Sequence, residues 1–124
     1  MRTLLFIGVL LMASCSESQE KEDQAGYQIV TTMEFEEMLS ESDIQIVDVR
    51  KAVEFSQGTI KGAINIDVLS SDFRAKIEEL DKSKKTLIFC KSGGRSGRAG
   101  AMMEKMGFET IVDLSGGYAG WPRK

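Results

Sequence analysis

Residues 86–96 read TLIFCKSGGRS. Their apolar first half predicts a buried strand that ends at Cys90. Gly93 and Gly94 then allow the backbone to curl, because glycine tolerates positive φ angles that other residues avoid. The residues after this loop predict an amphipathic helix that stops at Gly107, since apolar side chains recur there at helical spacing. We interpret this apolar stripe as core, and it consists of Ala99, Met102, Met103 and Met106.

Strands and helices alternate along the rest of the chain. We predict strands at residues 28–30, 44–49, 63–66, 86–89 and 110–114. Thr31 is the expected N-cap of the first helix, with Glu34 completing a capping box, and Asp72 or Ser71 is the expected cap of the third. This alternation predicts an α/β fold with a mainly parallel sheet. Ligands of such sheets bind beyond the carboxyl ends of the strands, which is where Cys90 is expected.

Composition excludes several classes of function. The 124 residues suffice for one domain, and 42% hydrophobic with 28% charged residues is an ordinary globular balance. A net charge of −3 offers no basic surplus, so we expect no nucleic-acid partner. The chain has no histidine, which excludes Ser-His-Asp and Cys-His catalysis. Because two distant cysteines cannot hold a metal without imidazole ligands, we expect neither a metal nor a cofactor.

The first 26 residues predict an export signal followed by a tether. Arg2, an apolar run over residues 3–11 and small residues before Cys15 follow the order of a secretory signal peptide. The run is too short for a permanent membrane span. Its end resembles a bacterial lipobox, so we expect a signal peptide at residues 1–14 and lipidation of Cys15. Residues 15–26 are then a lipidated, disordered acidic tether, and residues 27–124 form the domain.

This reading places the protein on the periplasmic side of a bacterial envelope, where it contacts the membrane through its lipid anchor only. One alternative is cleavage near Ala13, which would release a soluble secreted protein. A disulfide between Cys15 and Cys90 is a second alternative. If Cys15 carries the lipid, Cys90 has no partner within the chain.

Cys90 is the candidate nucleophile. Inward-pointing amides of the loop, the positive end of the following helix and the side chains of Lys91 and Arg95 are expected to surround it with positive charge. We therefore expect the pKa of its thiol to lie below the ordinary value of about 8.5, without a histidine base. The alternative is an inert cysteine that only packs at the end of a core strand.

Four motifs follow one another along the chain. They are DVR at 48–50 with EF at 54–55, GTIKGAINI at 58–66, CKSGGRS at 90–96, and LSGG at 114–117 followed by Trp121. Together they resemble the motifs of the rhodanese-like domain family over almost all of residues 28–121. One departure is Thr59, where the family usually has histidine. The resemblance implies a rhodanese-like three-layer fold, in which a five-stranded, mainly parallel sheet carries helices on both faces, and a single-domain sulfurtransferase.

The resemblance also implies a mechanism. The Cys90 thiolate takes a sulfane sulfur from a donor such as thiosulfate and becomes a persulfide, which a thiol acceptor, or cyanide in the test tube, then discharges. We expect a monomer whose partners are a small anionic sulfur donor and a thiol acceptor. Lys91 is expected to attract the donor, and Ser92 to donate a hydrogen bond to the bound group. The expected substrate-binding residues are Lys91, Ser92, Gly93, Gly94, Arg95 and Ser96.

Supporting roles are expected for three charged residues outside the loop, Asp48, Arg50 and Glu54. We expect Arg95 to orient the loop by pairing with a carboxylate such as Asp48. Arg50 and Glu54 form a second candidate ion pair, and the alternative is that they are separate surface charges.

Other functions compete with sulfur transfer. A cysteine-dependent phosphatase or arsenate reductase needs Cys-x5-Arg, whereas Arg95 gives Cys-x4-Arg and Ser96 stands where that arginine belongs. A thiol redox protein normally needs Cys-x-x-Cys, and here the second position is Gly93. A non-catalytic binding module that keeps the fold is the third rival, and the intact cysteine loop argues against it.

Overall fold

The computed structural model describes Gly8 and residues 25–124. Over residues 25–124 strands and α-helices alternate in the predicted order, and a short 3-10 helix follows the last strand. The strands are β1 (Gly26–Val30), β2 (Ile44–Asp48), β3 (Ile64–Asn65), β4 (Lys85–Phe89) and β5 (Thr110–Leu114). The helices are α1 (Thr32–Met38), α2 (Ala52–Ser56), α3 (Phe73–Glu78) and α4 (Gly94–Lys105), and the 3-10 helix is Tyr118–Gly120.

One five-stranded sheet with the order β1-β5-β4-β2-β3 organises the described domain. Every strand pair is parallel, and β4 lies at the centre, in register with β5 through Thr86 and Ile111 and with β2 through Lys85 and Ile44. The α/β prediction with a parallel sheet is thereby confirmed. Because β4 is central, the loop that begins at Cys90 leaves the sheet between two neighbouring strands, as ligand loops of open parallel sheets do.

Two hydrophobic layers cover the two faces of the sheet. On one face, Phe73 and Ile77 of α3 and Ala99 and Met103 of α4 are buried against the strands. On the other face, Phe35 of α1 packs edge-on against the rings of both Phe89 and Trp121. Helices therefore lie on both faces, as expected, and the methionine stripe of α4 is core.

Helix starts follow the sequence signals only in part. Thr31 caps α1 as predicted, because its hydroxyl accepts a hydrogen bond from the amide of Glu34. Asp72 occupies the N-cap position of α3, but its side chain makes no capping hydrogen bond. The reason is that its carboxylate binds the Ser70 hydroxyl and Lys76 instead. No helix among the described residues is long and apolar enough to cross a membrane.

Two glycines of α4 make room for an aromatic ring from β1. A Cβ placed on Gly100 would overlap the ring of Tyr27, and one on Gly97 would lie 3.7 Å from the Tyr27 hydroxyl. The ring therefore lies flat against a helix surface that has no side chains at these positions. This contact brings the Tyr27 hydroxyl beneath the first turn of α4, close to the loop that holds Cys90.

Candidate functional site

Cys90 follows the last residue of β4 and is only 1% exposed. The loop after it turns at Gly93, whose φ of 117° lies in the region that favours glycine. α4 begins at the next residue, Gly94, so its first amides point back toward the cysteine. A strand, a glycine turn and a helix start together enclose Sγ in a small cradle.

The sulfur atom has two direct partners in this cradle. The Gly93 amide donates to Sγ across 3.0 Å, and Sγ lies 3.3 Å from the Ser96 hydroxyl oxygen, to which the thiol donates. Ser96 is itself fully buried. Because a hydroxyl donates as well as accepts, Ser96 can reverse its role and donate to the sulfur once the thiol proton is lost.

Electrostatics favour the thiolate. Burial raises the pKa of the Cys90 thiol, but hydrogen bonds from the Ser96 hydroxyl and from the amides of Ser96, Gly93 and Ser92 outweigh it, and the net pKa is lowered. The direction agrees with the sequence analysis. Fewer groups lower this pKa than expected. Backbone amides and one hydroxyl supply the main effects, and the charge of Arg95 is engaged in an ion pair.

The predicted partners of the two arginines were wrong. Arg95 pairs with Glu54 through two hydrogen bonds of 2.6 and 2.9 Å, and Arg50 pairs with Asp48 at 2.7 Å. Arg50 follows Asp48 by two residues, so its amide and its guanidinium both reach that carboxylate. Thr59 donates to the same carboxylate at 2.9 Å. Arg50 and Thr59 therefore occupy the Asp48 carboxylate, and Arg95 pairs with Glu54 instead.

The two ion pairs differ in burial. Asp48 is fully buried and the Arg50 side chain is 5% exposed, whereas Glu54 and Arg95 are about a quarter exposed. Hydrogen bonding to Arg95 lowers the pKa of Glu54 to about 2 and outweighs the opposing effect of burial. Thr59 stands where the resemblance predicts histidine, and its hydroxyl donates to Asp48. Both pairs therefore hold segments next to the cysteine loop.

The turn after β5 clamps the cysteine loop from the other side. The Tyr118 amide donates to the Cys90 carbonyl at 2.8 Å, and the Ala119 amide donates to the Lys91 carbonyl at 2.9 Å. Gly117, with φ of 59°, comes so close that an added Cβ would lie 2.5 Å from the Lys91 carbonyl carbon and oxygen. Only glycine fits there.

A cavity of about 370 Å³ opens beside this clamp. Cys90 is not among its lining residues, whereas its neighbour Lys91 is, together with Arg50, Tyr118 and Lys124. The Arg50 guanidinium lies over the Tyr118 ring at 4.3 Å from the centroid. Lys91 is exposed and has no recorded ion pair within the described domain. The cavity thus presents unneutralised positive charge one residue from the sulfur.

The structure brings the predicted loop residues, Cys90 to Ser96, into one cradle, and it places the supporting charges around it. Ser92 contributes through its amide, while its side chain is exposed. The expected lipidation site, Cys15, lies outside the described residues. Sequence reasoning missed Tyr118, Tyr27 and Asp113. Asp113 had a signal, because a carboxylate interrupts the apolar strand TIVDL at residues 110–114.

Known proteins resemble this chain in sequence. The rhodanese-like domain family matches residues 31–124. A sulfurtransferase of Allochromatium vinosum is 32% identical over 81 residues, which cover 65% of this chain and 74% of the relative. A tRNA uridine(34) hydroxylase of Cytophaga hutchinsonii is 39% identical over 87 residues, which cover 68% of this chain but only 28% of the relative. The chain thus spans little more than a quarter of that protein.

Solved structures agree with the sequence comparisons. A rhodanese-related protein from Thermoplasma volcanium superposes with a TM-score of 0.67 at 30% identity, covering 77% of this chain and 90% of that one. A human single-domain sulfurtransferase superposes with a TM-score of 0.64 at 25% identity, covering 77% and 96%. The cysteine cradle and the sheet order described above are consistent with these matches. The chain belongs to the rhodanese-like domain family.

Proposed function

We propose that this chain moves a sulfane sulfur from a small anionic donor, such as thiosulfate, to a thiol acceptor, with Cys90 as the sulfur carrier. The observation that carries the proposal is the set of donors around Sγ, which lower the pKa of the thiol where no imidazole is available. The sulfurtransferase of Allochromatium vinosum, which matches over most of its own length, supports the same class of reaction.

The first step is a nucleophilic substitution at sulfur. The Cys90 thiolate attacks the outer sulfur of thiosulfate, a new S–S bond forms, and the S–S bond of thiosulfate breaks. Sulfite leaves with the electron pair of the broken bond, so no oxidant or reductant is consumed. Total charge is conserved, because a thiolate and a thiosulfate dianion become a persulfide anion and a sulfite dianion.

The second step returns the sulfur to an acceptor. The outer sulfur of the persulfide carries the negative charge, and amides at the start of α4 are suited to stabilise it. An acceptor thiolate, or cyanide in an assay, attacks this sulfur and releases the Cys90 thiolate. The cradle then serves both steps, because each step begins and ends with an anionic sulfur near the same donors.

The cavity beside the clamp supports the choice of an anionic donor. Lys91 and Lys124 line it, and the charges of Arg50 and Glu54 are already taken by Asp48 and Arg95. An anion that enters the cavity is therefore attracted mainly by the two lysines. We propose that Lys91 guides the donor to the loop without taking part in bond formation.

Intact-protein mass spectrometry of the full-length chain tests this function. After incubation with thiosulfate, we expect the wild-type protein and a Cys15→Ser variant to gain one sulfur atom each, and a Cys90→Ser variant to gain none. Cyanide should remove the added sulfur and yield thiocyanate. A Cys90→Ser protein that gains the sulfur, or a wild-type protein that gains none, would contradict the proposal.

The rival functions make different predictions in the same samples. A phosphatase would hydrolyse an aryl phosphate and lose that activity in Cys90→Ser. A binding module would show no turnover, and its partner would bind wild type and Cys90→Ala equally. The hydroxylation named for the Cytophaga hutchinsonii relative belongs to a protein of which the match covers 28%, so it adds no argument for this chain.

For localisation we propose a lipid anchor at Cys15 on the periplasmic side of the envelope. The support is the sequence of the first 15 residues alone, of which the structure describes only Gly8. Globomycin, which blocks lipoprotein signal peptidase, should leave an uncut precursor. Normal processing in its presence would contradict lipidation and favour a released protein.

A further inference from the structure

Tyr118 is the first residue of the 3-10 helix that clamps the cysteine loop, and its side chain is half-buried. The Arg50 guanidinium lies over its ring at 4.3 Å from the centroid, and the ring of Phe89 lies 6.2 Å away, tilted by 34°. Gly58 completes the enclosure, because an added Cβ there would lie 2.8 Å from the Tyr118 hydroxyl oxygen. The ring is therefore fixed between the end of β4, the segment after β2 and the turn after α2.

The Arg50 guanidinium is held by atoms that do not belong to the clamp. Its Nη2 donates to Asp48 Oδ2 and to the Gly58 carbonyl, each at 2.7 Å, and its Nε donates to both Asp48 oxygens. Arg50 is buried, and the Asn65 side chain fixes its backbone by donating to the Arg50 carbonyl at 2.8 Å. A cation above an aromatic face attracts the ring electrostatically. Because the cation is fixed from several sides, this attraction also fixes the ring.

The backbone of Tyr118 carries this restraint to the cysteine loop. Its amide donates to the Cys90 carbonyl at 2.8 Å, and the amide of the next residue, Ala119, donates to the Lys91 carbonyl at 2.9 Å. These two bonds fix the peptide planes that lead to Gly93, whose amide donates to Cys90 Sγ at 3.0 Å. Lys91 is exposed, so its side chain adds little packing that could hold the loop. The direction of the Gly93 amide therefore depends on the position of the 3-10 helix.

We propose that Tyr118 is a positioning residue for Cys90: the Arg50 guanidinium holds its ring, and its backbone holds the cysteine loop with the loop amides aimed at Sγ. The inference rests on the proposed role of Cys90 as the sulfur carrier. Without the stack on Arg50, the 3-10 helix keeps only its second anchor, the buried Trp121 at its end. The loop amides then lose their alignment with Sγ, and misaligned hydrogen bonds stabilise the thiolate less.

Charged and titratable groups surround Cys90 on several elements, and substitutions at Tyr118 add or remove no charged side chain. A change in the ionisation of Cys90 then reports the geometry of the loop rather than the loss of a charge. The groups are the ion pairs Arg95–Glu54 and Arg50–Asp48, Asp67 near Arg95, the hydrogen-bonded pair Tyr27–Asp113, and the exposed Lys91.

The pH dependence of Cys90 alkylation by iodoacetamide tests the proposal in a full-length Cys15→Ser parent, in which Cys90 is the single thiol. The midpoint of the profile reports ionisation of the thiol, whereas the limiting rate at high pH reports access to it. We expect Tyr118→Leu to raise the midpoint by about 0.5–1 pH units, because the loop amides lose their alignment. Tyr118→Phe should stay within about 0.2 units of the parent, since it keeps the aromatic face. The hydroxyl that it removes has no recorded hydrogen bond in the described domain.

A fluorinated ring separates the attraction to Arg50 from simple packing. Trifluorinated phenylalanine at position 118 has nearly the shape of phenylalanine, but its face is no longer electron-rich and attracts a cation only weakly. We expect its midpoint to lie about 0.3 units or more above that of Tyr118→Phe and below that of Tyr118→Leu. Equal midpoints for the fluorinated and the plain ring would overturn the proposal, because Arg50 would then not act through the ring.

Met38→Ala is the matched control for a general loss of packing. Met38 is partly buried against the same core layer as Tyr118, but it lies on α1. Its midpoint should remain within about 0.2 units of the parent, because the two sites are independent. A Tyr118→Leu midpoint equal to that of the parent, or an equally large shift in Met38→Ala, would overturn the proposal. Alkylation needs no sulfur donor, so these midpoints decide the inference separately from the sulfur-loading experiment, which tests the proposed function.

Discussion

The Glu54–Arg95 ion pair gives a quantitative prediction for the variant Glu54→Gln. Hydrogen bonding to Arg95 lowers the pKa of Glu54 from 4.5 to about 2. At about 1.4 kcal/mol per pKa unit, this depression corresponds to a ceiling of roughly 3 kcal/mol. Both side chains are about a quarter exposed, and solvent screening reduces the ceiling. We therefore expect Glu54→Gln to lower the free energy of unfolding by about 1–2 kcal/mol at pH 7.

The pH dependence follows from the sign of the shift. Because the pKa is lower in the folded protein than in the unfolded chain, the ionised carboxylate stabilises the fold fully above pH 4.5. This contribution is lost as the pH falls toward 2, where Glu54 becomes protonated in the folded protein as well. The stability difference between wild type and Glu54→Gln should therefore shrink steadily below pH 4.5.

Urea unfolding of wild type and Glu54→Gln at several pH values between 7 and about 3 measures the difference in their free energies of unfolding. The slope m of each curve should stay constant, so that the comparison reports stability alone. Glu34→Gln is the matched control, because Glu34 holds the same third helical position in α1 and has no recorded ion pair among the described residues. Equal stability of wild type and Glu54→Gln at pH 7 would refute the reasoning. So would a difference that stays constant down to the lowest pH.

Other substitutions probe the loop and the packing beneath it. Lys91→Glu should raise KM for thiosulfate about 5–10-fold in steady-state kinetics with little change in kcat, because Lys91 attracts the donor without touching the reacting bond. Gly117→Ala should lose most sulfur loading in mass spectrometry, whereas Gly116→Ala, with a similar positive φ but no atom within 4 Å of its Cβ, should retain it. In urea unfolding, Gly100→Ala should destabilise by about 1–3 kcal/mol through overlap with the tyrosine ring, while Gly97→Ala should stabilise by up to about 1 kcal/mol through helix propensity. The opposite order of these two variants would contradict the packing argument.

The order of strands and helices could be predicted because each element carries its own local signal. β5 was predicted to the residue from its apolar run, and the helical spacing of Met103 and its neighbours correctly identified the buried side of α4. Strand ends were less accurate where the signal is weak. β3 has only two paired residues, Ile64 and Asn65, which lie beside β2 at the edge of the sheet.

The charge pairing could not be predicted in the same way. Asp48, Arg50, Glu54 and Arg95 were all expected near the loop, but sequence spacing does not say which carboxylate faces which guanidinium. The answer depends on the short turn after β2, which folds Arg50 back onto Asp48, and on α2, which carries Glu54 toward α4. Tertiary packing decides which charges pair, so no local sequence pattern predicts these ion pairs.

The residues beneath the cradle were missed for a related reason. Asp113 shows in the sequence only as one charged residue within an apolar strand, and Tyr27 lies 86 residues away from it in the chain. Their contact requires β1 to lie beside β5 and requires a helix surface without side chains at Gly97 and Gly100. A sequence can show that a buried carboxyl group needs an explanation, but it does not supply the partner.

The position of β1 at the edge of the sheet has a consequence for biosynthesis. In the described domain β1 pairs with β5 alone, from Gly26 opposite Thr110 to Val30 opposite Leu114. The ribosome therefore releases β1 well before β5, and the β1 amides have no strand partner until β5 follows. Pairing between strands this far apart in the chain slows folding, because a long loop must close before the contact forms.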